Sequence, residues 1–158
     1  MLLVTIAADG GCTANGKEDS IAGWGAIIIC QGFELELSGG FYPGTNNQAE
    51  LIAVISAIEF LSEPTDITVV SDSQYVCKGY NEWVKGWIRN GWINSANKPV
   101  KNRELWERLL AAIGNGGHRV GKDNFKWVKG HAGHELNERV DQLATAEIKK
   151  IKNRLTKD

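Results

Sequence analysis

The stretch KGHAGHELNERVDQLA, residues 129–144, places two histidines in a glycine-containing turn just before a predicted helix. Asp141 falls in the second turn of that helix, so an imidazole and a carboxylate lie close together at its entrance. Because the ordinary pKa of imidazole is near neutrality, His131 is suited to moving protons there. A zinc site made from His131 and His134 is the competing interpretation, but the two-residue gap is a weak signal and no cysteine pair supports it. We expect His134 and His118 to be surface residues.

Two further acids stand at the ends of apolar strands. The segment LLVTIAA predicts a buried strand over residues 2–8 that stops at DGG, and DITVVSD predicts a second one. If these strands are parallel neighbours, Asp9 and Asp72 both reach the carboxyl end of the sheet, where open α/β sheets place ligands. For either residue alone, the plainer explanation is that aspartate commonly ends strands and forms turns.

Glu50 lies on the inward side of a predicted helix, TNNQAELIAVISAIEFL, which starts at residues 45–47. At about 100° per residue, the Glu50 side chain projects between Ala57 and Leu61, toward the core. An ionised carboxylate there is costly unless it is paired, bound to a metal or placed at a polar crevice. A capping box formed by Asn47 with Glu50 is the alternative explanation, and both can hold at once.

Each acid alone has a structural explanation, and Asp141 alone would be interpreted as a solvated residue at the edge of an apolar stripe. Four acids that can all face one crevice instead favour a shared function. Carboxylates that face one crevice repel one another, and the arrangement is stable only if cations neutralise it. Oxygen ligands select hard ions, so we expect two magnesium ions, with manganese as a substitute. Two ions about 4 Å apart would activate a water and stabilise the leaving oxygen in phosphodiester cleavage. The acids are Asp9, Glu50, Asp72 and Asp141.

Length and composition predict one domain spanning residues 1–158, with 42% hydrophobic residues and room for a substantial core. The apolar start is too short for a membrane span and lacks the features of a secretory signal, so we expect a cytoplasmic protein without membrane contact. Cys12, Cys30 and Cys77 show no metal-type spacing and are interpreted as free thiols that act as small buried hydrophobes. No obligate protein partner is indicated, and we expect a monomer.

The net charge of −1 hides an asymmetry along the chain. Residues 78–103 contain six basic residues and one acid, hence +5, and the other 12 basic and 18 acidic residues give −6. A local cationic surface on an acidic body suits an anionic polymer.

The pattern of elements predicts an α/β fold. Three strands are predicted, at residues 2–8, 23–30 and 31–41, and a tight Gln-Gly turn joins the last two. They are followed by a helix, a strand, further helices, a strand at 125–130 and a last helix from Glu135 to about Ile151. We interpret GNGGHRVGKDN as a flexible connection. This order implies a mixed five-stranded sheet with helices on its faces.

Six segments occur in the order found in type 1 ribonuclease H, the bacterial ribonuclease HI group, and together they cover nearly the whole chain. They are DGGC, GWGAIII, TNNQAELIAVISAIEFL, SDSQYV, EWVKGWIRNGWINSANKPVKNRELWERL and KGHAGHELNERVDQLA. The resemblance implies the ribonuclease H-like fold: three antiparallel strands, then two parallel ones, flanked by helices and a basic helical protrusion. It also implies magnesium-dependent cleavage of the RNA strand of RNA–DNA hybrids, giving 3′-hydroxyl and 5′-phosphate ends.

The resemblance also implies roles for individual residues. The family's metal-binding acids match Asp9, Glu50, Asp72 and Asp141, and its mobile catalytic histidine matches His131. Its RNA contacts resemble Cys12, Asn15, Asn46, Asn47 and Gln74, and Thr45 resembles the threonine of its DNA-phosphate pocket. Its DNA channel matches Trp83 and Trp87, and its basic protrusion resembles Lys85, Arg89, Lys98 and Lys101.

Plainer explanations exist for several of these matches. Thr45, Asn46 and Asn47 are also typical helix-capping residues, the tryptophans can form the small core of a protruding element, and a charge run is often only solvated. Trp92 and Trp106 are expected in that core. The segment TANGKEDSIAG departs from the compact turn usual in the family.

Two alternatives remain open for the function: another nuclease or transposase of this fold, which lacks such a protrusion, and a non-catalytic RNA–DNA hybrid-binding module.

Overall fold

A computed structural model of the protein describes residues 1–15, 17–130 and 134–156. Along the chain, its elements are β1 (Leu2–Cys12), β2 (Ala22–Cys30), β3 (Phe33–Phe41), α1 (Asn46–Phe60), β4 (Thr65–Ser71), α2 (Gln74–Lys78), a π-helical turn (Gly79–Trp83), α3 (Val84–Arg89), α4 (Arg103–Asn115), β5 (Arg119–Trp127) and α5 (Glu135–Leu155). Among the described residues, no helix has the length and apolar character needed to cross a bilayer.

The five strands form one mixed sheet in the order β3-β2-β1-β4-β5. β1 pairs antiparallel with β2, and β2 with β3, whereas β1 with β4 and β4 with β5 pair in parallel. The tight turn between β2 and β3 is formed by Gln31 and Gly32, both with positive φ. The predicted mixed five-stranded sheet with helices is therefore confirmed.

Alternate side chains of β1 pack against helices on opposite faces of the sheet. Val4, Ile6 and Ala8 pack into the larger core with α1 and α4, whereas Ala7 points to the other face and packs against Val140 of α5. A strand buried on both faces needs an almost continuous apolar run, and this is what residues 2–8 provide.

The prediction that DGG ends the first strand is wrong. β1 continues to Cys12, with Asp9 paired to Gly25 and Gly10 paired to Trp24. The reason is packing, because a Cβ at Gly10 would lie 2.5 Å from the main-chain nitrogen of Glu50. The missing side chain allows α1 to lie directly on the strand, so this glycine serves helix–sheet packing rather than a turn.

The prediction of a flexible connection over residues 114–124 is also wrong in its second half. Arg119 and Val120 already pair with β4, and after an irregular excursion Phe125 pairs with Val69. Asp123 adopts the left-handed conformation within the excursion. Extra residues in an edge strand bulge outward while pairing continues before and after the bulge. The glycine-rich, polar composition of this segment therefore predicted a loop.

Two smaller predictions, on the cysteines and on His118, need correction. Only Cys77 is buried, whereas Cys12 and Cys30 are half-buried; all three are free thiols. His118 is half-buried rather than a surface residue, and its Nδ1 accepts the main-chain N–H of Thr65 at 3.1 Å. Burial lowers the pKa of His118, which fits a neutral ring that accepts at Nδ1. His134 is exposed as predicted, but it also caps α5.

Candidate active site

Three carboxylates from distant parts of the chain converge at the carboxyl end of β1 and β4. Asp9 lies within β1, Glu50 in the second turn of α1, and Asp72 directly follows β4. Each offers a carboxylate oxygen within 4.8 Å of those of the other two. Asp141 lines the same cleft, of about 440 Å³, from α5. The four acids singled out in the sequence therefore face one crevice.

Glu50 is buried as its helical position predicts, with 4% of its surface exposed. The proposed capping box of Asn47 with Glu50 is wrong, because Thr45 and Gln48 form the box instead. The Gln48 N–H donates to Thr45 Oγ1 at 3.2 Å, and the Thr45 N–H donates to Gln48 Oε1 at 2.9 Å. Glu50 is thus free of any capping role, and its Oε2 is a buried acceptor without a donor.

Burial and mutual repulsion disfavour the charged forms of these acids. Burial, followed by the charge of Asp72, raises the pKa of Asp9 from 3.8 to about 8. Burial, followed by the charges of Asp9 and Asp72, raises the pKa of Glu50 well above 4.5. None of the ion pairs in the described part of the chain involves these acids. The cluster is therefore neutralised either by protons or by cations from solution.

The donor set of the cluster is made of oxygen atoms. Cys77 is buried nearby, and burial together with the charges of Glu50 and Asp72 raises the pKa of its thiol to about 12. An uncharged thiol is a poor ligand, because metals bind the thiolate. Three carboxylates, one of which has a buried oxygen without a donor, suit a hard divalent cation rather than zinc held by sulfur. The residues present therefore fit a divalent metal.

The rim of the same cleft carries amide side chains. Asn46 and Asn47 line it from the first turn of α1, and Gln74 lines it from the start of α2. The sequence analysis missed two other lining residues, Ser73 and Tyr75. Ser73 is the N-cap of α2, and a serine directly after a strand-ending aspartate is the signal that could have placed it there.

Cys12 and Asn15 lie beside the cleft and connect two elements. The Asn46 main-chain N–H donates to Asn15 Oδ1 at 3.2 Å, and the Cys12 thiol approaches the same oxygen at 3.8 Å. Thr45 lies in a separate cleft of about 280 Å³ that Lys17 also lines. The structure thus brings Asn15 and Asn46 together and sets Thr45 apart from the acids.

The protrusion carries a cluster of tryptophans. The ring centroids of Trp83 and Trp87 lie 5.9 Å apart, and Trp87 also packs against Trp92 and Trp106. Trp92 and Trp106 are buried as predicted, but they belong to the main core shared with α1 and β4 rather than to a separate small core, whereas Trp83 keeps 39% of its surface exposed. Trp83 and Trp87 line an open cleft of about 400 Å³. This segment is thus anchored in the main core and keeps an accessible aromatic surface.

The basic side chains of the protrusion project into solvent. None of the ion pairs found in residues 1–15, 17–130 and 134–156 involves them. Two of them, Lys98 and Lys101, border an apolar cleft together with Tyr75 and Trp87. The exposed set is Lys85, Arg89, Lys98 and Lys101.

Comparison with known proteins places this site in a family. The family model described as RNase H matches residues 3–149. The chain belongs to the ribonuclease H family. It is 48% identical over 145 residues to the Ribonuclease H of Nitratidesulfovibrio vulgaris strain DP4, covering 91% of this chain and 88% of the relative. It is 49% identical over 150 residues to that of Bradyrhizobium diazoefficiens, covering 95% and 92%. These relatives mark the chain as a ribonuclease H enzyme.

Solved structures agree with this assignment. The fold matches LC9-RNase H1, described as a type 1 RNase H with the type 2 active-site motif, with a TM-score of 0.81 and 27% identity. The match covers 95% of this chain and 74% of the other. The ribonuclease H fold is thus shown by sequence and by structure.

The histidine expected to assist a ribonuclease H, His131, lies outside the described residues. Its neighbour His134 is the N-cap of α5, and its Nδ1 accepts the Asn137 N–H at 3.4 Å. This capping role places His134 at the start of the helix that carries Asp141.

Proposed function

We propose that this ribonuclease H hydrolyses the RNA strand of RNA–DNA hybrids, using two divalent ions held by its acid cluster. One observation carries the proposal: a buried Glu50 oxygen without a donor faces two other carboxylates in an open cleft. A protein that did not bind cations would gain by replacing such a cluster, since buried unpaired carboxylates are costly.

The four acids would bind the two ions in different combinations. Asp9 and Asp72 directly follow the last parallel pair of β1 and β4, Ala8 with Ser71, and would hold both ions, while Glu50 and Asp141 would complete the two sites. Magnesium is the proposed ion, with manganese as a substitute. Divalent ions bound there supply activation of a water and stabilisation of the leaving oxygen. Cleavage would leave 3′-hydroxyl and 5′-phosphate ends, with His131 moving a proton or assisting product exit.

Selection of the RNA strand would come from the amides beside the acids. Asn46, Asn47 and Gln74 line the cleft, and an amide both donates to and accepts from a ribose 2′-hydroxyl. Cys12 and Asn15 extend this contact along the RNA strand.

Selection of the DNA strand would come from the protrusion. The rings of Trp83 and Trp87 line one cleft and would offer flat surfaces for deoxyribose, which lacks a 2′-hydroxyl. The four exposed basic residues of the protrusion, with Thr45 in its separate cleft, would hold phosphates.

The experiment is cleavage of end-labelled RNA–DNA hybrid, duplex RNA and duplex DNA, each with magnesium or with chelator. We expect cleavage of the RNA strand of the hybrid alone, and no product with chelator. Cleavage of all three duplexes would favour a general nuclease of this fold. Tight hybrid binding without turnover in magnesium or manganese would favour a binding module and contradict the proposal.

A further inference from the structure

The end of β5 and the residue after it are hydrogen-bonded to the end of β4, beside Asp72. The Trp127 indole N–H donates to the main-chain carbonyl oxygen of Asp72 at 2.9 Å, and the Val128 N–H donates to the Ser71 carbonyl oxygen at 2.9 Å. Ser71 is the last residue of β4, so Asp72 lies just beyond the paired part of its strand. The indole N–H of Trp127 therefore links the main chain of Asp72 to β5 beyond the last paired residue of β4.

Gly130 adds a second constraint on the same residue. A Cβ at Gly130 would lie 2.9 Å from Asp72 Oδ2 and 3.6 Å from Asp72 Cβ. The carboxylate therefore occupies the volume that any side chain at this position would need. Because the contacted oxygen is at the end of a side chain, a methyl group there would be accommodated by displacing that carboxylate.

The repulsion within the acid cluster explains why Asp72 needs such support. Asp72 offers a carboxylate oxygen within 4.8 Å of those of Asp9 and Glu50, and carboxylates this close together repel one another. Asp9 and Glu50 are buried, whereas Asp72 is half-buried and is the one that can turn toward solvent. The indole bond to its backbone and the limited space beside Gly130 oppose that movement.

We infer that Trp127 and Gly130 are positioning residues that hold the Asp72 carboxylate within the metal-binding cluster. Trp127 fixes the main chain of Asp72 through its indole N–H, and Gly130 leaves the space in which its carboxylate lies. The inference rests on the proposed function only in that Asp72 binds a divalent ion. Groups that orient metal ligands without touching the metal typically change its affinity by about 10- to 100-fold.

A merely structural role for Trp127 predicts a different outcome. Trp127 is 47% exposed, so about half of it is buried, and loss of the indole bond could act on folding alone. In that case magnesium affinity would stay unchanged and only the free energy of unfolding would fall. The two roles are separated by measuring magnesium binding directly, without substrate.

The experiment is calorimetric titration of the full chain with magnesium, comparing wild type with Trp127→Phe and Gly130→Ala. Trp127→Phe keeps the aromatic ring and removes the donor, and we expect magnesium to bind about 3- to 10-fold more weakly. Gly130→Ala displaces the carboxylate itself, and we expect binding to weaken by about 10-fold or more. In cleavage assays, half-maximal activity should need correspondingly more magnesium, while KM for the hybrid at saturating magnesium stays near the wild-type value.

Two controls separate positioning from stability. Ile58→Val, in the buried core of α1, lowers stability without touching the cluster and should bind magnesium as wild type does. Gly114→Ala adds a methyl group where no atom lies within 4 Å. If Gly130→Ala fails to fold, Trp127→Phe decides the question.

The inference and the proposed function fail in different ways. Wild-type magnesium affinity in both variants overturns the positioning role, even if the enzyme cleaves hybrids. Weakened magnesium binding in a protein that does not cleave hybrids supports the positioning role and contradicts the proposed function.

Discussion

Gly10 and Glu50 are in direct backbone contact, since a Cβ at Gly10 would lie 2.5 Å from the Glu50 nitrogen. The contact sets the distance between β1 and α1, and these two elements carry the first two acids of the cluster. The separation of the Asp9 and Glu50 carboxylates thus depends on the absence of one side chain.

Gly10→Ala should therefore damage both stability and activity. Because the obstructing atoms belong to the backbone of α1, the helix must shift, at a cost of about 1–3 kcal/mol. Urea denaturation measures the loss, and hybrid cleavage should fall at temperatures where the variant is still folded. The matched control is Gly11→Ala, whose added Cβ would meet only Ile148 Cδ1, at 3.9 Å. Equal stability of the two variants would contradict the packing argument.

The stability of the metal-free protein should fall as pH rises. The pKa of Asp9 is about 8 in the folded state and 3.8 as the ordinary value, so the folded state binds the proton more tightly between these limits. The resulting stabilisation is fully present below pH 3.8 and is lost as pH rises through about 8. Thermal melts in chelator across this range should show a falling Tm, and the increase in Tm caused by magnesium should grow with pH. The same slope in Asp9→Asn would exclude Asp9 as its source.

Charges on the protrusion should control the salt dependence of hybrid binding. Lys85→Gln and Arg89→Gln are each expected to make the negative slope of log K against log salt shallower by about one. Each removed contact leaves one phosphate neutralised by counterions in the complex as well. Fluorescence anisotropy in chelator measures the binding without cleavage. Arg119→Gln and Lys122→Gln remove exposed charges from β5 and serve as controls. An unchanged slope in the first pair would show that the protrusion is only solvated.

Capping and substrate binding at the start of α1 can be separated by substitution. Thr45→Ala should lower the free energy of unfolding by about 1 kcal/mol, because Thr45 Oγ1 accepts the Gln48 N–H, and Thr45→Ser should retain it. Asn47 has no part in the box, so Asn47→Ala should change stability by less than about 0.5 kcal/mol while weakening hybrid binding. A destabilised Asn47→Ala that binds hybrid normally would reverse this assignment.

The sequence was sufficient to predict the convergence of the acids. Asp72 at a strand end and Glu50 on the apolar face of a helix are placed by periodicity, because a helix or strand fixes which side chains share a face. The parallel pairing of β1 with β4 then brings Asp9 and Asp72 together. The order of elements therefore predicted the cluster without knowledge of the contacts.

Other features depend on details that periodicity does not contain. Thr45 with Gln48 and Asn47 with Glu50 have the same spacing, so only the backbone conformation at the helix start decides which pair forms the box. The continuation of β1 past Asp9 depends on the close approach of α1, and the bond between Trp127 and Asp72 joins residues 55 positions apart. Contacts of this kind are set by tertiary packing.

The most direct test of the metal-binding cluster is to measure cleavage rate and thermal stability on Asp9→Asn. Loss of a carboxylate that holds the ions should lower the rate of hybrid cleavage in magnesium by about 10³-fold or more. The same substitution removes repulsion from the cluster, so at pH near 8 in chelator its Tm should rise, by about 5 °C. Asp66→Asn, on the neighbouring strand β4 and away from the cleft, should leave both properties near wild type. An Asp9→Asn variant that cleaves the hybrid at the wild-type rate, or is less stable than wild type in chelator, would contradict the account.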